Sequence, residues 1–363
     1  MYAIDRFPSL VSPVILFLLS FFIGLHVTGV MRWAGRRLGV VDPPSRRKLQ
    51  PAPVPRMGGV AIFLSAALAL WITYALSSEV RAKSPHDFEV ILLVGAGIAL
   101  VGLMDDVFSV PAILKLGVLA VGCLVLAWQG IGVNRTPIPA VNYVLTFLWV
   151  AGVASAFNAI DNADGLAGSV ALTSALVLFV MGWSSWQVHF SFLAMAIAGA
   201  VLGFLHHNMS PARIYLGDCG SFFLGYILAV LVMYGDWCEN PIRSFVAGCM
   251  VVAFPVYDLG VTTILRIRHG IVHTPLQAIA YSDRDHLSHR LLRLGMPHRR
   301  MLAILTGISG AFCLAGLYAV RAPGPALAGT VVLAVAFMVW FARDLDRRTS
   351  APDLWVNRST PHE

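Results

Sequence analysis

Val90-Ile-Leu-Leu-Val-Gly-Ala-Gly-Ile-Ala-Leu-Val-Gly-Leu-Met104, followed at once by Asp105-Asp106, decides how this chain folds. Fifteen residues pass without a charge before two carboxylates arrive together. With Phe88 and Glu89 the stretch covers 88–104, about the length a ~30 Å hydrocarbon layer asks of a helix. Ten further stretches of this kind lie at 10–31, 57–77, 111–128, 140–157, 168–183, 188–205, 219–234, 242–265, 300–320 and 325–342. Over all 363 residues, 58% are hydrophobic and 12% charged, against roughly 25% charged in soluble domains. A water-soluble globular domain is thereby excluded. Lipid offers the backbone no hydrogen-bond partner, so every span must be helical. The expectation is an all-α integral membrane protein of about eleven transmembrane helices. No repeat or polar linker divides it, so 1–363 reads as one polytopic domain with 343–363 as a cytoplasmic tail. The first apolar stretch follows no basic segment or small-residue cleavage site and is expected to be retained.

Lys and Arg set the orientation. The formal charge is +7, and its distribution is lopsided. The connections 32–56, 105–110, 158–167, 206–218 and 266–299, with Arg300 and the tail, hold nineteen Lys/Arg, and the opposite side holds six. This places the first set in the cytoplasm and the N-terminus outside. The unusual polar residues fall on that same cytoplasmic face, while the span centres stay almost free of charge. A proton or ion pathway would leave charge at mid-membrane depth. A reaction centre at the cytoplasmic membrane surface fits the pattern better. The five cysteines (Cys123, Cys219, Cys238, Cys249 and Cys313) show no metal-ligand spacing and read as small hydrophobes. Nothing suggests a nucleic-acid partner.

Four polar clusters carry the chemistry. Asp105 and Asp106 end a helix whose macrodipole they oppose, a poor choice for stability but a good one for a divalent cation or a proton. Asn158, Asp161 and Asp164 recur every three residues and so share one side of a helix, with Gly165 and Gly168 beside them. The third cluster runs from Asn208 through Arg213, Tyr215, Gly217 and Asp218 to Gly220-Ser221. Asp218 there reads either as a helix N-cap or as a hard oxygen ligand for Mg²⁺. In the last cluster, Asp283-Arg284-Asp285-His286-Leu-Ser-His289-Arg290, the two histidines share a face with basic residues, which suits phosphate or an anionic membrane surface. A basic loop with Arg46, Arg47 and Lys48 leads to Pro55-Arg56-Met-Gly-Gly, an anion-facing turn opening the second span. Asp258 is an intramembrane carboxylate and a functional candidate on that ground. Carboxylates with many cations at one membrane face suit Mg²⁺-assisted phosphoryl transfer, and the membrane setting implies a lipid substrate.

These motifs, in this order from Asp42 to Arg293, resemble the polyprenyl-phosphate N-acetylhexosamine-1-phosphate transferases, which include the phospho-MurNAc-pentapeptide translocases. The resemblance implies transfer of N-acetylhexosamine 1-phosphate from a UDP-sugar to polyprenyl (undecaprenyl) phosphate, with UMP released. It implies Mg²⁺ as cofactor (Mn²⁺ as substitute), residence in the bacterial inner membrane and a role in starting a cell-envelope polysaccharide. By the same likeness, Asp105 and Asp106 bind metal or deprotonate the lipid phosphate, Lys115 neutralises phosphate, and Asp218 coordinates Mg²⁺. Asn158, Asp161 and Asp164 contact metal, diphosphate or nucleoside. Tyr215 stacks on uracil, Asn208 belongs to the nucleotide site, and His286, His289 and Arg290 cover the sugar diphosphate. Homodimers are common in that family, so a second copy is an expected partner.

The chain departs from the pattern at Ser155, Gln50 and Ser288, the last standing between the two loop histidines. The Asp-Arg-x-His-Leu-x-His-Arg form is closer to the N-acetylhexosamine members than to the peptidoglycan translocases, which puts a UDP-GlcNAc-like donor first and phospho-MurNAc-pentapeptide second. A transporter remains the rival of another class and predicts broken helices at the bilayer midplane. Asp161-x-x-Asp164-Gly165 also opens a CDP-alcohol phosphotransferase signature, but Gly168-Ser169 stand where Ala-Arg is required.

Overall fold

The structure, a computed structural model, describes residues 11–43, 52–77, 87–134, 136–273 and 285–349. Its helices are α1 (Val11–Leu38), α2 (Gly58–Leu76), α3 (Asp87–Phe108), α4 (Ala112–Trp128), α5 (Pro139–Ile160), α6 (Leu166–Ser184), α7 (Val188–Asn208), α8 (Gly217–Tyr234), α9 (Pro241–Val251), α10 (Ala253–Arg268), α11 (Leu287–Arg293), α12 (His298–Arg321) and α13 (Gly324–Thr349). The expectation of an all-α membrane protein holds: nine of the described helices are long and apolar enough to cross a membrane. α9 and α10 together form one bent candidate span, and α4 is a shorter apolar helix of 17 residues. One two-residue hairpin, β1 (Val41–Asp42) paired antiparallel with β2 (Val54–Pro55), flanks the loop before α2. Arg46, Arg47, Lys48, Gln50, Asp283 and Arg284 lie outside the described residues, as do 350–363.

Helix ends differ from the hydropathy reading where polar residues are helical. α3 runs on through Asp105 and Asp106 to Phe108, α8 starts at Gly217 rather than 219, and α13 continues past 342 to Thr349. Backbone hydrogen bonding, unlike hydropathy, does not stop at the membrane surface.

The stretch 242–265, expected as one span, bends by 71° between α9 and α10. The cause is legible in the chemistry. Pro255 has no N–H to return to the carbonyl of Val251, and a freed carbonyl at membrane depth needs another donor. Two neighbours supply it: Ser174 Oγ donates to Val251 O at 3.0 Å and Cys313 Sγ at 3.4 Å. The bend therefore costs no orphaned acceptor.

α8 is the axis of the bundle, buried continuously from Cys219 to Met233. Helices reach it closely because small residues line the crossings, the packing mode open to helices in lipid. At Gly59 a Cβ would sit 2.0 Å from the backbone nitrogen of Gly220, so α2 could not lie where it does with any side chain there. α13 is the opposite case: along its length only Leu345 and Thr349 are buried, both in its last turn. The core thus gathers around α8, whose N-terminal turn carries Asp218.

Candidate active site

Three chain segments meet at that turn. The end of α3 brings Asp105 and Asp106, the first turn of α4 brings Lys115, and the end of α5 brings Asn158. Lys115 Nζ lies 2.8 Å from Asp105 Oδ2 and 2.8 Å from Asp218 Oδ2, so one ammonium joins two carboxylates that lie far apart in sequence. It also sits over the ring of Phe222 at 5.1 Å, a cation–π contact. Asp105 Oδ1 accepts the Val110 N–H at 2.5 Å. Asn158 Nδ2 donates to Asp218 Oδ1 at 3.1 Å and to Ser221 Oγ at 2.9 Å, which fixes the second carboxylate oxygen.

Asp106 does something different from its neighbour. Its Oδ1 accepts the backbone N–H of Asp218 at 3.0 Å and its Oδ2 that of Cys219 at 3.1 Å. The first N–H groups of a helix have no partner within it, and a negative charge at that end also meets the positive end of the macrodipole. Asp106 is thus a cap for α8 reaching across from α3. Gly217 completes the arrangement. It holds a φ of +73°, and a Cβ on it would fall 2.5 Å from Asp106 Oδ2. The paired aspartates are therefore divided: Asp105 faces the shared cation, and Asp106 holds the turn that carries Asp218.

The turn after α5 adds Asp161 and Asp164, both half-buried. Burial, then the negative charges of Asp218, Asp106 and Asp164, push the Asp161 carboxyl well above the usual carboxylate range, with Arg56 acting the other way. Asp164 Oδ2 accepts the Ala212 N–H at 3.0 Å. Asn208 is buried with its amide spent inside the protein: Oδ1 accepts the Gly165 N–H at 3.0 Å and Nδ2 donates to Ile214 O at 2.9 Å. It staples the 165 turn to the 214 loop. Tyr215 is half-buried, and its backbone is sewn to the segment before α2 by bonds to Pro55 O (2.7 Å) and from Gly58 N (2.9 Å). Arg56, in that segment, pairs with Asp42.

The histidine-bearing segment stands beside this centre. Ser288 Oγ donates to Asn162 Oδ1 at 2.5 Å, which joins α11 to the 158–164 turn. His286 is buried and His289 half-buried. Arg290, expected to face a sugar diphosphate, is buried instead. It donates to Asp285 O at 2.7 Å and lies 3.3 Å from both Asp346 Oδ1 and Thr349 Oγ1. Its guanidinium joins α11 to the last turn of α13. The sequence reading did not single out Asn162, Arg266 or Asp346. Arg266 carried a findable signal, since it stands two helical turns after Asp258 and so on the same face.

As a cation site, the centre offers two converging hard oxygens, Asp105 Oδ2 and Asp218 Oδ2, already satisfied by one positive charge. Among the described residues no group of three or more His, Cys, Asp or Glu is arranged to enclose a metal ion. That donor set fits Mg²⁺, which keeps several waters and is held by one or two carboxylates with substrate phosphates. It does not fit zinc, which asks for several nitrogen or sulfur ligands.

The sequence model of glycosyl transferase family 4 matches residues 88–236, the stretch that contains Asp105, Asp106, Lys115, Asn158 and Asp218. A Bacillus subtilis protein named as an undecaprenyl-phosphate N-acetylglucosaminyl 1-phosphate transferase is 29% identical over 318 residues, covering 85% of each chain. A decaprenyl-phosphate N-acetylglucosaminephosphotransferase of Mycobacterium tuberculosis is 29% identical over 309 residues, covering 77% of this chain and 75% of its own. A Streptomyces coelicolor protein named as a glycosyltransferase is 30% identical over 300 residues, covering 83% of this chain and 68% of its own.

Proposed function

This chain belongs to glycosyl transferase family 4, and we propose that it transfers N-acetylglucosamine 1-phosphate from a UDP-sugar to a polyprenyl phosphate, releasing UMP. The observation that carries the reading is the meeting of Asp105, Lys115 and Asp218 at one point on the end of the bundle. Relatives named for N-acetylglucosamine support that sugar over the phospho-MurNAc-pentapeptide alternative. The excess of Lys and Arg on one set of connections supports eleven spans with the N-terminus outside and this centre at the cytoplasmic face of the bacterial inner membrane. There the lipid-linked product would start a cell-envelope polysaccharide.

In the proposed reaction an oxygen of the lipid phosphate attacks the sugar-bearing phosphorus of the donor in line. The bond from that phosphorus to the bridging oxygen breaks, UMP keeps the oxygen, and a new lipid diphosphate forms. Asp105 and Asp218 would hold Mg²⁺, which when bound neutralises charge on the donor's diphosphate. Asp105 orients the lipid phosphate and takes any proton it carries; Asp106 is less suited, since its two oxygens are spent on the first turn of α8 while Asp105 faces the shared cation. Lys115 stays beside the phosphates as a fixed positive charge. Asn158 keeps Asp218 in one rotamer.

Detergent-purified protein incubated with undecaprenyl phosphate, Mg²⁺ and a panel of UDP-sugars should release UMP with UDP-GlcNAc, and Asp218→Asn should abolish it. Release with another donor alone would refute the sugar. Release that persists in Asp218→Asn would refute the site.

A further inference from the structure

The reaction as drawn leaves unused a buried carboxylate that holds an imidazole. α10 presents Asp258 and, two turns on, Arg266 along one face, and both are buried. Arg266 grips Asp285 with two bonds, Nε to Oδ2 at 2.8 Å and Nη2 to Oδ1 at 2.6 Å. Asp258 grips the next two residues: its Oδ2 lies 2.6 Å from Nδ1 of His286, and its Oδ1 accepts the backbone N–H of Leu287 at 2.8 Å. A carboxylate only accepts, so Nδ1 must carry the hydrogen, and a neutral His286 keeps its free lone pair on Nε2. Nε2 has no partner among the described residues, nor is it among the polar atoms sealed without one. It therefore opens onto accessible space. The Ser288–Asn162 bond sets the same short segment against the turn of Asp161 and Asp164.

We propose that Asp258 is a positioning residue that works through His286, fixing the tautomer and orientation of the ring so that Nε2 meets the sugar diphosphate of the donor. The inference rests on the transferase reading above. Its geometry has the form of the carboxylate–imidazole pairs that orient metal-bound histidines elsewhere, where losing the outer partner costs about ten- to a hundred-fold in metal affinity or activity.

The test uses full-length protein in detergent with ¹⁵N-labelled histidine. His286→Gln identifies the His286 signals by their disappearance. In the wild type, free of substrate, His286 should carry its hydrogen on Nδ1, and Asp258→Asn should abolish that preference. In the UMP-release assay Asp258→Asn should lower kcat by about ten- to a hundred-fold with KM for the UDP-sugar changed less. Placed on His286→Gln, the same substitution should lower kcat by no more than about twofold further, because two residues acting as a unit are not additive. An unchanged His286 signal in Asp258→Asn, or losses that multiply in the double variant, would overturn the proposal. Should Asp258→Asn fail to fold, Asp258→Glu keeps the charge but displaces it by a methylene. It should lower kcat in the His286 background and not in His286→Gln, and equal effects in both would also overturn it. A wild type without transferase activity would sink the transferase reading instead, while the tautomer measurement would still decide the pairing.

Discussion

Asp106→Asn separates a residue that acts on substrate from one that holds another residue in place. Asp106 is isosteric with Asn, yet the amide can accept only one of the two N–H bonds that Asp218 and Cys219 now make to it. The other N–H is left facing an NH₂ group. Hydrogen bonds to charged acceptors contribute about 1.5–3 kcal/mol each, and a charge near a helix N-terminus adds roughly 0.3–1 kcal/mol. The substitution should therefore destabilise the first turn of α8 by about 2–4 kcal/mol. That turn carries Asp218, and a displacement of about 1 Å at a reacting centre can cost on the order of a hundred-fold in rate. The assay pairs thermal unfolding in detergent with UMP release by the same preparation. A cap predicts that stability falls together with kcat, and that Asp106→Ala, which removes both bonds, worsens both. A base predicts that kcat collapses while the unfolding midpoint stays put. Loss of activity in Asp106→Asn at wild-type stability would refute the capping argument.

Three further outcomes follow from the geometry. Because Lys115 and a divalent ion would share Asp105 Oδ2 and Asp218 Oδ2, Lys115→Met should lower kcat while reducing the Mg²⁺ concentration for half-maximal activity; a higher requirement would show that the two cations cooperate. The Asp161 carboxyl is raised in the folded state, so folding favours its protonated form, and its ionisation costs stability as pH climbs from the unfolded value near ~3.9 through the folded one. Asp161→Asn should accordingly raise the unfolding midpoint more at pH ~8 than at pH ~5, and an equal or reversed change would contradict the burial-and-repulsion account. Arg266→Ala strands the buried Asp285 and should cost about 3–5 kcal/mol, visible as faster amide exchange across 285–293. Asp285→Leu added to Arg266→Met should recover much of the loss, and no recovery would mean that the pair has other roles.

Hydropathy and short motifs reached far into this molecule. A count of apolar residues locates the nine described helices that are long and apolar enough to cross a membrane, because a span must present some twenty apolar side chains whatever its neighbours are. The polar clusters around Asp105, Asn158, Asp218 and His286 also stood out against that apolar background, and the structure brings the first three into direct contact. The role of each residue was less visible. Asp105 and Asp106 are chemically identical neighbours, and only the position of α8 turns one toward Lys115 and the other toward a helix end. Asn208 and Arg290 carry polar groups suited to a ligand, yet their partners lie within the fold.

What the amino-acid sequence determined by itself, then, was the all-α membrane class and the apolar stretches with the polar clusters between them, which follow from the transfer of side chains between water and lipid. The tertiary structure alone decided which of those residues pair, where Pro255 breaks a span, and that Ser174 and Cys313 satisfy the carbonyl it frees. The reason is physical. Apolar side chains are as content against lipid as against another helix, so hydropathy says little about which helices touch. Close approach at residues such as Gly59 and hydrogen bonds between groups more than a hundred positions apart make that choice.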